Sequence, residues 1–184
     1  MPDVSQVTAG KPKIGGHVWR APLGTTLPTT AVAALDNAFI DMGYISDEGV
    51  SNADSIENNQ VKAWGGTVVL NSMTSRDQAY KAAFISAMNP EVQKMVYGNT
   101  NVSGTVTTGM TVTGNSKELE ESSYVIDMIA KGNVAHRIVI PSAKPTAIED
   151  IVYNDPDAVA YGVTLGCTAD ANGNTKYEYW QANE

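Results

Sequence analysis

The sequence predicts a mainly β protein of the α+β class: a β-sandwich or barrel-like body with one flanking α-helix over residues 75–88 and a short second helix over 90–97. Three observations carry that expectation. Short segments rich in Val, Ile, Thr and Tyr alternate apolar and polar positions along most of the chain, which is the period of half-buried strands. Turn signals such as Gly132-Asn133 and Asn172-Gly173-Asn174 separate them. Only Ser75 to Gly98 joins capping residues to a helical apolar period, and runs of strands with a single helical insert fit packed sheets better than alternating β/α units.

Residues 1–15 mix Pro, Gly and polar residues without a period, and are expected to form an extended N-terminal arm outside the core. Gly16 to Ala21 reads as a first strand. Residues 22–60 are expected to contain long loops: one over 22–37, with a helical turn over Ala31 to Leu35, and a polar connection, DEGVSNADSIENN, from Asp47 onward. A strand from Phe39 to Ser46 separates them. The polar connection reads either as solvated loop or as a working loop, since connections of such length in compact domains often serve a function. Val61 to Met73 resumes the strand pattern, with Gly65-Gly66 marking a bulge or a close backbone approach.

In the helical stretch, Ser75 and Gln78 form a capping box, and Tyr80, Ala83, Phe84, Ala87 and Met88 recur on one side. Tyr80, Phe84 and Met88 are therefore expected to pack a helix against a sheet. Asn89-Pro90 ends that helix and starts the second, which carries Val92, Met95 and Val96 on one side and stops at Gly98. The Thr- and Val-rich run from Asn99 to Ser116 has the habit of a hairpin. Ser123 to Lys131 and Val134 to Ile140 pair about the Gly132-Asn133 turn, with Pro141 ending the second strand. Strands are expected around Ile148 to Tyr153 and Ala158 to Gly166. The latter has a bulky face of Val159, Tyr161, Val163 and Leu165 and a small face of Ala158, Ala160, Gly162 and Thr164. Thr175 to Gln181 is the last strand.

Length and 42 % hydrophobic content suit a single domain spanning 1–184. The net charge of -8 divides as -4 over residues 1–60, +1 over 61–120 and -5 over 121–184. Such acidity disfavours binding to nucleic acid or to anionic membranes. Cys167 is the only cysteine, so no intrachain disulfide forms. No secretory pattern opens the chain and no apolar run reaches membrane-span length, so synthesis in the cytoplasm is expected. There is no nucleophile elbow, phosphate-binding glycine loop or metal-ligand spacing. His17 and His136 read as strand residues, Cys167 as an inert buried thiol, and Glu118, Glu120 and Glu121 as a solvated edge or a contact between subunits. No enzyme activity, metal or cofactor is expected.

Several stretches resemble those of the major tail protein, or tail tube protein, of long non-contractile-tailed bacteriophages. They are APLGTTLP at 21–28, GYISDEGV at 43–50, VKAWGG at 61–66, NPEVQKMVYG at 89–98, NSKELEESSYVIDM at 115–128 and RIVIP at 137–141, in the family's order. The resemblance implies a β-sandwich with a flanking helix, six subunits per ring, and rings stacked into a tube around a tape-measure protein. It also implies tail terminator and tail-tip proteins as partners, and DNA passing through the lumen without specific binding. The place implied is the virion tail, assembled in the host bacterial cytoplasm. Some members of the family carry a further immunoglobulin-like C-terminal domain, which is not expected within residues 1–184.

Ring formation by closing heterologous contacts suits exposed sheet edges. Strands with mixed faces, such as Ser123 to Lys131, are then expected to be covered only on assembly. Candidate contacts between subunits or rings are Lys11 and Lys13 in the arm and Asp47, Glu48, Asp54 and Glu57 in the polar connection. A lumen that lets DNA pass is expected to be net negative, with Asp127 as a lining candidate. The rival classes are a carbohydrate- or protein-binding β-sandwich, such as an adhesin or receptor-binding module, and a tube subunit of a secretion or contractile injection system.

Overall fold

The computed structural model describes residues 7–13 and 17–182. Among them the chain runs β1 (Lys11–Pro12), β2 (Val18–Pro22), β3 (Ile40–Asp41), β4 (Ile45–Lys62), β5 (Val68–Phe84), α1 (Pro90–Tyr97) and a 3-10 turn (Asn99–Asn101). It continues β6 (Val102–Ser103), β7 (Thr111–Val112), β8 (Ser122–Ala130), β9 (Val134–Ile148), β10 (Tyr161–Thr168) and β11 (Tyr177–Ala182). Nine of these strands share one sheet in the order β3-β2-β8-β9-β10-β5-β4, with β1 added beside β8 and β11 beside β9. The path is linear, so the sheet is open and not a closed barrel. β6 and β7 form a separate short ribbon within the Thr-rich run.

β9 lets this sheet wrap a core. Its first half, Val134 to Val139, lies between β8 and β11, whereas Ser142 to Ile148 pairs with β10. Pro141 was expected to end the strand, yet the strand runs through both Pro141 and Pro145. The ladder is already interrupted near each: the β8 register shifts between Ser122 and Tyr124, and the β10 register between Thr164 and Leu165. A residue without an N–H is tolerated at such irregularities. Ser123 Oγ donates to the Pro141 carbonyl at 2.7 Å, so the break is bridged by a side chain.

The main core gathers Val18, Met42, Tyr80, Phe84, Tyr124, Ile126, Ile140, Tyr161, Val163 and Leu165, together with Val92, Met95 and Val96 of α1. Tyr161, Val163 and Leu165, from the bulky face of β10, are thus buried. Its small face receives close neighbours: the Glu149 side chain lies over Gly162 and that of Thr146 over Gly166, where any Cβ would collide. The helix at 90–97 is also as expected, with Asn89 Oδ1 accepting the Glu91 N–H at 2.9 Å, Pro90 at the first position and the Gly98 N–H returned to Lys94. Gln93 donates to the Tyr161 hydroxyl at 3.0 Å and so ties α1 to β10.

The stretch from Ser75 to Met88 is not a helix. Its first ten residues belong to β5, paired with β4 on one side and β10 on the other, and Ile85 to Asn89 is the turn into α1. Positions 80 and 84 share a face at a period of 2 as well as 3.6, so Tyr80 and Phe84 are buried either way, with Ala82 between them. Met88 is 72 % exposed and belongs to no core. Ser75 faces Glu57 across the ladder instead of capping a helix. Two partner strands outweigh the local helix propensity of an Ala-rich run.

Other boundaries shift for related reasons. The polar connection of 47–59 is the body of β4, and Gly65-Gly66 is the turn joining β4 to β5, with φ of +104° and +89°. The expected strand at 148–153 is loop beyond Ile148, and Ala31 to Leu35 bends without a helical turn. Burial gives a direct check. Phe84→Ala should cost about 3–5 kcal/mol in urea unfolding, whereas Met88→Ala should change stability by less than about 0.5 kcal/mol.

Candidate functional site

The body has a second buried face. Val125 of β8 and Val139 of β9 point away from the main core and pack with Ala21, Phe39, Leu27, Leu35, Trp19, Tyr177 and Tyr179. The segment between β2 and β3 supplies much of this cover. Arg137 fixes it there: Nη1 donates to the carbonyls of Thr30 at 3.2 Å and Ala33 at 2.6 Å. Its Nε and Nη2 meet Asp127 Oδ1 and Oδ2 at 2.6 and 2.9 Å, a bidentate pair that is almost fully buried.

Two expectations are corrected by this arrangement. The mixed face of β8 is covered by the chain's own loop and not left for assembly. Asp127, the lining candidate, spends its charge on Arg137 inside the fold and offers none to a lumen.

Beyond the body, β4 and β5 continue as a hairpin in which every residue from 51 to 74 is exposed. It carries Ile56, Val61, Val68, Val69, Leu70 and Met73 at the surface, and Trp64 stands fully exposed at its tip. An exposed apolar set of this extent marks an interaction surface in a soluble protein. At the root, Asp54 accepts from Arg76 Nε at 3.0 Å and Nη2 at 2.5 Å and from Gln78 at 3.2 Å. These bonds from Arg76 and Gln78 lower its pKa from 3.8 to about 2. Asp54 therefore braces the hairpin, while Glu57 is exposed further out. Asp47 and Glu48 sit on a four-residue bulge of β4, between the registers of Ile45 and Val50. Lys11 lies in β1, paired with Ile129, and Lys13 follows it with its N–H on the Asp127 carbonyl at 3.3 Å. Residues 1–6 and 14–15 of the expected arm lie outside the described residues. The structure thus brings Asp47, Glu48, Asp54 and Glu57 onto one strand and places the two lysines elsewhere.

The surface also has a groove of about 430 Å³ lined by Arg20, Pro22, Leu23, Ile40, Glu91 and Glu120 among others. Arg20 is buried at its floor, donating to Ser122 Oγ at 3.1 Å and Asn99 Oδ1 at 2.9 Å and facing Glu91 at 3.5 Å. Sequence reasoning did not find Arg20, Arg137 or the hairpin. The hairpin had a partial signal, a Gly-Gly pair inside the strand-like run of 61–73, but its first strand reads as a polar connection. The buried arginines had none beyond their places in apolar strands.

His17 Nδ1 donates to the Lys13 carbonyl at 2.8 Å, and His136 stacks on Trp180 with Nε2 2.7 Å from Glu178. Burial pushes the half-buried Cys167 thiol up to about 11, away from the range of reactive thiolates. Among the described residues, no group of three or more His, Cys, Asp or Glu side chains is placed to hold a metal ion, and no helix is long and apolar enough to cross a membrane.

Open sheet edges and a projecting apolar hairpin on a mainly β body suit contacts with further molecules. Comparison with known families makes this specific: the profile of the phage tail tube protein family matches residues 3–184. The chain belongs to that family and is a structural protein of the phage tail. A comparison with curated proteins gave no match. Among solved structures, the chain is similar to the tube-terminating cap of the anti-feeding prophage, determined by cryo-EM. The identity is 7 %, the TM-score is 0.46, and 97 % of this chain and 98 % of that one are covered.

Removing the Arg137 guanidinium leaves a buried carboxylate unpaired. Arg137→Met should cost about 3–5 kcal/mol, and the double replacement Asp127→Leu with Arg137→Met distinctly less, by urea unfolding. The hairpin root has a pH signature. Because the folded pKa of Asp54 is depressed, the stabilisation it provides is present above pH 3.8 and fades as pH falls through about 2. An NMR titration should find this midpoint, and Arg76→Ala should move it up toward 3.8.

Proposed function

We propose that this chain forms hexameric rings that stack into the tail tube, enclosing a tape-measure protein and later conducting DNA, with no catalytic role. Tail terminator and tail-tip proteins would meet the ends of the tube, in a tail made in the host cytoplasm. Membership of the tail tube family carries the reading, and the hairpin of 51–74 supports it. That hairpin holds too much exposed apolar surface to suit an isolated monomer. It is the candidate contact between rings, with Glu57 on its flank and Asp54 at its root. The sheet end at β3 is a candidate for lateral contacts within a ring.

A net charge of -8 supports an acidic lumen, since phosphates are repelled by such a surface and gain no counterion release from it. Asp127 has no part in that lining. The purified chain should form rings or tubes by electron microscopy, and amide exchange over 51–74 should slow on assembly. A dispersed monomer under all conditions, with unchanged exchange, would favour a binding module instead.

A further inference from the structure

Followed through the strand pairing, the hairpin tip and the groove above Arg20 lie toward opposite strand ends. Crossing it rung by rung, Ala79 lies opposite Gly166, its neighbour Cys167 opposite Ala143, Ala143 opposite Ser122, and Ser122 opposite Pro22. The groove, lined by Pro22 and Leu23, therefore begins at the level of the hairpin root and opens away from the tip. Gly65 lies fourteen residues beyond Ala79, a reach of roughly 45 Å along the strand direction at the usual rise per residue. A projection at one end and a recess at the other are the two halves of a head-to-tail contact, which propagates when it does not close.

Their chemistry matches as well. Lys62 is the only ionisable residue between Glu57 and Arg76, so the distal hairpin is positive in a chain of net charge -8. The groove holds Glu91, Glu120 and Glu121 against Arg20 and Lys94, and is net negative. Leu23 and Ile40 are about half exposed at its rim and offer apolar walls. Its volume falls within the range of pockets that enclose a small ligand, and a tip indole needs less. Exposed tryptophans at interfaces are frequent anchors, because a large apolar face comes with a single N–H donor.

Resting on the tail tube reading, we infer that Trp64 of one copy seats in the Leu23–Ile40 groove of another, with Lys62 against the acidic rim. The contact joins copies along the strand direction, and Trp64 with Lys62 specifies it.

Paired cysteines test this. In a Cys167→Ser background, Trp64→Cys is combined with Leu23→Cys or Ile40→Cys and treated with a short bismaleimide, with Trp64→Cys plus Val152→Cys as control. A ladder of covalent multimers with either groove cysteine, and none with the control, is expected. Trp64→Ala should abolish tubes while leaving the fold and any single rings intact. Lys62→Glu should shorten tubes, and adding Glu120→Lys should restore them. Tubes that form without a groove cross-link, or that survive Trp64→Ala, overturn this inference and leave the tail tube reading standing. A wild-type chain that never assembles overturns both.

Discussion

The fold depends on one strand that changes partners midway. Every other large element is positioned through β9: β8 and β11 flank its first half, and β10 its second. β10 then carries β5, and β5 carries β4. The change of partner bends an open sheet around Tyr80, Phe84, Tyr124, Ile140 and Leu165 without closing it. Two prolines within β9 are compatible with this because they stand where the ladder is interrupted. A continuous, evenly paired β9 would give a flatter sheet with nothing to enclose.

The same bend leaves the outer face of β2, β8 and β9 in need of cover, and the chain supplies it from residues between β2 and β3. Arg137 is what converts that irregular segment into a lid, since two of its donors go to backbone carbonyls that would otherwise face a buried surface. Asp127 balances the charge that this requires. Both faces of the central strands are therefore used up inside the subunit. What is left to act on other molecules is the periphery: sheet edges, the groove over Arg20 and the hairpin.

How far this was legible in the sequence follows from which residues carry one meaning and which carry two. The mainly β class, α1 with its Asn89-Pro90 start, the β8–β9 turn at Gly132-Asn133 and the bulky face of β10 were all readable, because turn chemistry and caps are local. Tyr80 and Phe84 were readable as core but not as strand, since a spacing of four residues fits either period. The polar composition of 51–60 hid a strand because neither of its faces is buried in the subunit, so no alternation was selected there. Asp127 misled for the opposite reason: a carboxylate on a strand signals exposure unless its partner is known, and Arg137 becomes that partner only through the pairing of β8 with β9. Long-range register is the information that local pattern lacks.

That register also explains why the hairpin can be both long and safe. A free strand edge invites pairing with any other chain, and β4 is the end of the sheet. Near the body its edge is broken by the bulge of residues 46–49, where Asp47 and Glu48 add charge and Gly49 has a φ of +72°. Further out, the Asp54–Arg76 pair sits across the two strands and Asn58, Asn59 and Gln60 keep the edge polar. Lateral addition along β4 is thus discouraged where the strand is longest, while the apolar groups are gathered toward the far end around Trp64. An arm built this way favours contact through its tip over contact through its edge, which is the distinction an ordered polymer of identical subunits needs if it is to grow in one direction only.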